Sequence, residues 1–93
     1  MGDLSILTTT SNDIMAMEKR ERLWFCVGVA SEIREICKCS EGDAASRIWS
    51  DGAAKLRRWK RGDYSPSLPN TLKALFALHE LEAYSRLRNK GVL

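Results

Sequence analysis

The sequence predicts an all-α fold, a compact bundle of four to five helices. Three observations carry that expectation. Pro and Gly together number only eight in 93 residues, so few segments are barred from helix. Residues 12–39 contain no proline, and their apolar positions recur with a helical period. A Leu-rich stretch near the end repeats apolar residues on a broad helical stripe.

Taken in order, residues 1–11 are polar, with clustered Ser and Thr, and read as a flexible N-terminal arm. Leu4, Ile6 and Leu7 alternate enough to pack somewhere or to pair with a partner chain. Residues 12–93 read as a single domain, which is all that this length allows. Its first element is one long helix. Leu23, Cys26, Val27, Ala30, Ile33 and Cys37 share a face, and Trp24 and Phe25 widen it.

Ser40 is the expected cap of a short second helix, because its hydroxyl can accept from the amide three residues on. Ala44, Ala45, Ile48 and Trp49 form the apolar side of that helix. Ser50-Asp51-Gly52 breaks it. Asp51 or Ser50 then caps another short helix, Ala53 to Arg61, with Leu56 and Trp59 inward and Gly62 at its C-terminal stop. Asp63 to Pro69 is a connector stiffened by two prolines. The last helix begins at Asn70 or Thr71 and runs to about Asn89, before Lys90-Gly91. Leu72, Leu75, Phe76, Leu78, Leu81, Ala83, Tyr84 and Leu87 make a stripe wider than one core face needs, enough to bury a second copy of the chain.

Composition narrows the functional classes. The chain is 44% apolar and 29% charged, an ordinary globular balance. No stretch approaches the ~18–20 apolar residues that cross a bilayer. The first residues lack a basic segment followed by a long apolar one, so the sequence reads as cytoplasmic. Three cysteines make an odd count, which favours free thiols over a disulfide framework. Cys26, Cys37, Cys39 and His79 match no paired metal-ligand spacing, and no metal or cofactor is expected. His79 lies among Leu75, Phe76 and Ala83, has no nucleophile tied to it, and reads as a partly buried structural histidine. Nothing in the pattern points to an enzyme.

The charge distribution is more telling than the net +3. Residues 1–54 carry six Lys and Arg against nine Asp and Glu. Residues 62–93 carry four cations and three anions. Between them, five of the seven residues from Lys55 to Arg61 are cationic and none is acidic. A run of this kind often ends as a solvated helix face. The end of a helix also favours cations, which accounts for Lys60 and Arg61 but not for Arg57 and Arg58. Asp51 lies one turn from Lys55. By charge alone the run fits both a solvated face and a surface that meets phosphate. Trp49 and Trp59 could stack on single-stranded bases, but their helical phase with Ile48 and Leu56 places them in the core.

Two short helices separated by a three-residue break form a helix-turn-helix arrangement. The stretch GDAASRIWSDGAAKLRRWKRGDYSPSLPNTLKAL, Gly42 to Leu75, resembles the lambda-repressor-like (Xre-type) helix-turn-helix proteins. Ala45 and Ser46 fall where that family packs its short helices closely, and Leu56 and Trp59 on its buried recognition-helix positions. Trp-Lys-Arg-Gly-Asp-x-x-Pro-Ser-Leu looks like the family's exit from that helix. The resemblance implies sequence-specific double-stranded DNA binding by a bacterial or phage transcriptional regulator acting as a dimer. It places Ala53 and Ala54 at the start of the recognition helix, where alanine reaches only a thymine methyl. Base reading then falls to Lys55, Arg57 and Arg58. Lys55, Arg58 and Ala54 are expected opposite the buried side, with Arg57 and Arg61 on a flank. Lys60, Arg61, Tyr64 and Ser65 suit phosphates, which set register without reading sequence. The alternatives are a helical protein–protein module, antitoxin-like or a phage inhibitor, whose basic helix meets an acidic protein surface, and a structured-RNA binder using the same cations.

Overall fold

The computed structural model describes residues 9–89, and side chains only through Ala83. The expectations for Leu4, Ile6 and Leu7, for the Tyr84 and Leu87 side chains, and for Lys90-Gly91 lie outside the described residues. Within them the chain is all-helical, with five helices and no strand. These are α1 (Ser11–Met15), α2 (Lys19–Cys37), α3 (Glu41–Ile48), α4 (Gly52–Arg61) and α5 (Leu68–Asn89).

The expected long first helix is divided at residues 16–18. Capping chemistry explains the division where helix breakers do not. Thr10 and Asp13 cap α1 reciprocally: the Asp13 N–H donates to the Thr10 hydroxyl at 3.2 Å, and the Thr10 N–H to the Asp13 carboxylate at 2.9 Å. At the start of α2 the Glu21 carboxylate accepts from the Glu18 N–H at 2.9 Å. Arg22 holds the joint. Its Nη1 donates to the Met17 carbonyl at 3.2 Å, and its Nε to the Pro66 carbonyl at 3.0 Å. The break lets Ile14 turn into the core, where it is fully buried.

The inward face of α2 is Phe25, Cys26, Val29, Ala30 and Ile33. Phe25 is at one edge of it and fully buried, whereas Trp24, expected to widen the same face, is 60% exposed. At about 100° per residue the five buried positions span about 140° of the helix, and Trp24 falls about 100° beyond the Phe25 edge. Lys38 ends α2 in the left-handed region at φ 55°.

Ser40 caps α3 as expected, accepting from the Asp43 N–H at 3.1 Å. The turn into α4 differs in detail. Asp51 occupies the cap position with φ 57° and makes no side-chain cap bond, and Gly52 is already helical. Gly52 is buried, and a β-carbon there would lie 2.0 Å from the Ala45 carbonyl oxygen. Only glycine allows α4 to start this close to α3.

Trp49 and Trp59 meet edge to face in the core, with centroids 4.9 Å apart, planes at 88° and each 2% exposed. The Trp49 indole N–H donates to the Asn70 carbonyl at 2.8 Å, joining the end of α3 to α5. Helix α5 begins two or three residues earlier than expected and takes in Pro69. A proline in the first turn lacks only an N–H that has no helical partner. The Ser67 hydroxyl accepts from the Asn70 N–H at 3.2 Å. Thr71, Ala74, Leu75 and Leu78 bury the inner side of α5, while Phe76 is 61% exposed. His79 is exposed rather than partly buried, because it falls on the side of α5 that also carries Phe76 and Ala83. Among the described residues no helix is long and apolar enough to cross a membrane.

Candidate nucleic-acid interface

The geometry of α4 follows from two buried side chains. Leu56 and Trp59 pack inward, 3% and 2% exposed. Residues four apart share a helix face. Lys55 therefore flanks the buried stripe beside Trp59, and Lys60 flanks it beside Leu56. Arg57, Arg58 and Arg61 are left on the open side. The observed exposure agrees: Arg57, Arg58, Lys60 and Arg61 are exposed, while Ala53, Ala54 and Lys55 are half-buried.

This corrects the expected disposition of the cations. Lys55 does not project opposite the core; its ammonium folds back onto the Ser50 carbonyl, not onto Asp51. Arg57 is fully on the open side and has no hydrogen-bond or ion-pair partner among the described residues. Arg58 Nη1 donates to the Tyr64 hydroxyl at 3.2 Å.

The exit from α4 arranges the remaining groups. Gly62 adopts φ 87°, a left-handed stop that favours glycine. The Asp63 N–H then bonds back to the Arg58 carbonyl at 3.1 Å. This reversal brings Asp63 and Tyr64 alongside the last turn of α4. Arg61 donates to one Asp63 oxygen from Nε at 3.2 Å and from Nη2 at 2.6 Å. Lys60 pairs with Glu41 of α3 at 2.6 Å. Tyr64 is 52% exposed and Ser65 half-buried.

Spacing along the sequence did not find either pairing. Asp63 is two residues from Arg61, outside the one-turn rule, and reaches it through the glycine reversal. Glu41 is 19 residues from Lys60 and meets it only because α3 and α4 pack together. Four cations are thus on an exposed surface, two of them held by carboxylates and two without one.

The other reactive side chains lie elsewhere. Cys26 is buried, with Sγ 3.7 Å from the Thr71 hydroxyl. Burial pushes its thiol up to about 11, partly opposed by the Thr71 hydrogen bond and the Arg22 charge. Cys37 and Cys39 are free and half-buried. No group of three or more potential metal ligands gathers among the described residues. No family model, curated protein or solved structure matches this chain.

Proposed function

We propose that this chain binds double-stranded DNA through a lambda-repressor-like helix-turn-helix, α3 and α4, and acts as a dimeric transcriptional regulator of bacterial or phage type. One observation carries the reading. Arg57 and Arg58 stand on the open side of a short helix, free of carboxylates, above a side anchored by Leu56 and Trp59. A guanidinium so placed can pair with guanine O6 and N7, each good bidentate pair contributing ~1–3 kcal/mol of discrimination. Tyr64 supports the reading by limiting where the Arg58 guanidinium can point. Ala53 and Ala54 are small enough for close approach of a groove. Lys60 and Arg61 lie where phosphates would be met.

The test is selection of bound duplexes from a random library, followed by binding measurements on the selected site and on random sequence across salt. Arg58→Ala is expected to weaken the selected site by about tenfold or more, and random sequence by much less. Equal losses on both would remove the base-reading role. A slope of log affinity in log salt near zero would favour the helical protein–protein module, for which the exposed Trp24 and Phe76 offer apolar contact. Stronger competition by structured RNA than by duplex DNA would favour the RNA reading.

A further inference from the structure

We infer that Glu41 and Asp63 mask Lys60 and Arg61 from polyanions, and so lower sequence-independent binding at this same interface. The inference rests on the DNA-binding reading for its role in specificity, but the masking is a property of the ridge itself.

The two ion pairs are not scattered over the cationic run. They take the two positions closest to the helix exit, where phosphate contact would give affinity without sequence information. The pair distances are both 2.6 Å. Neither pair is sealed from water: side-chain exposure is 44% and 31% for Lys60 and Glu41, and 64% and 45% for Arg61 and Asp63. A phosphate can therefore reach both cations, but it must displace a carboxylate whose charge stays beside it. Exposed pairs of this kind are weak. A closely seated phosphate displaces them; a loosely placed one does not. Random sequence offers the loose kind of contact, because no base pairing with Arg57 and Arg58 fixes the register. The mask then acts more strongly against random sequence than against a matched site.

The counterion-release relation makes this measurable. Each phosphate neutralised adds about 0.9 to the salt slope. If the mask holds, random duplex binds the native protein with a slope lower than five cations would give. The double variant Glu41→Gln, Asp63→Asn keeps side-chain shape and removes both negative charges. It is expected to bind random duplex about three- to tenfold more tightly near 0.1 M salt, with a slope steeper by up to about two. The selected site should gain less, so the ratio between the two should fall. Removing any two acids raises affinity for a polyanion, so Glu35→Gln, Glu80→Gln serves as the charge-matched control. Both of its residues are exposed and form no ion pair with the α4 cations.

A gain in the first variant that clearly exceeds the control supports the mask. Equal gains, or none, in folded protein that binds DNA overturn it and leave the DNA reading standing. Retention on immobilised heparin is measured for all three proteins alongside. If the native protein binds no duplex, the DNA reading fails, and heparin decides the mask. Later elution of Glu41→Gln, Asp63→Asn than of the control supports it, and co-elution overturns it.

Discussion

Gly42 and Gly52 are ten residues apart and both lie in the first turn of a short helix, yet they tolerate a methyl group in opposite ways. A β-carbon on Gly52 would meet backbone of α3, 2.0 Å from the Ala45 oxygen and 2.7 Å from the Ser46 nitrogen. Backbone cannot swing aside, so α3 and α4 would have to separate. Gly52→Ala is expected to cost about 3 kcal/mol or more. A β-carbon on Gly42 would touch Ala53 Cβ at 3.5 Å, an ordinary contact. Gly42→Ala is expected to stabilise by ~0.5–1 kcal/mol, through the lower entropy of the unfolded chain. Urea unfolding of the two variants checks both signs. Cys26 makes a second prediction at this scale. Its thiol titrates at about 11 when folded, against 9.0 ordinarily. A raised folded value means that the unfolded chain ionises first. The contribution of Cys26 is fully present below about pH 9 and is lost as pH rises toward 11. Native protein should lose more stability across that window than Cys26→Ala does. An equal decline in both would show that Cys26 is not the group responsible.

Among the elements, the joint between α1 and α2 is held by one side chain. Arg22 reaches the Met17 carbonyl at the break and the Pro66 carbonyl before α5. Arg22→Met keeps an apolar stem of similar reach and removes both bonds. A loss of about 1–3 kcal/mol is expected. Hydrogen exchange should show it unevenly, with faster exchange in α1 and near Pro66 while the Phe25–Ile33 segment of α2 stays protected. Uniform acceleration would mean that Arg22 supports the whole core and not this joint. The same scale shows where sequence reading succeeded. Ser40 and Gly62 were legible as helix ends, because capping depends on a hydroxyl or a missing β-carbon at one position. The break at residues 16–18 was not, because neither glycine nor proline marks it. It combines the Glu18–Glu21 cap at the start of α2 with Arg22 finding acceptors in two segments, one of them 44 residues away.

At the scale of the molecule, α5 is the longest of the five helices. Its 22 residues span ~33 Å at 1.5 Å each, the largest share of the 43 Å long axis. The broad apolar stripe foreseen on this helix is only partly used: Leu75 and Leu78 are buried, while Phe76 is left outside. If the stripe pairs two copies, Phe76→Asp should shift the mass of the protein in solution from dimer to monomer. Its unfolding free energy should stay within ~0.5 kcal/mol of native at equal monomer content, as for other exposed positions. An unchanged mass would take α5 out of the dimer interface. A dimer would place two α4 helices on half-sites ~34–36 Å apart, a spacing the selected duplexes would reveal.

The amino-acid order by itself determined the helical class, most helix limits and the inward pair Leu56 and Trp59, because periodicity and capping act over one or two turns. Tertiary packing decided which of Trp24 and Phe25 enters the core, and that Glu41 and Asp63 hold two of the five α4 cations. Such outcomes depend on which surfaces meet when helices pack and the chain reverses, and Coulomb attraction acts across that space whatever the separation along the chain.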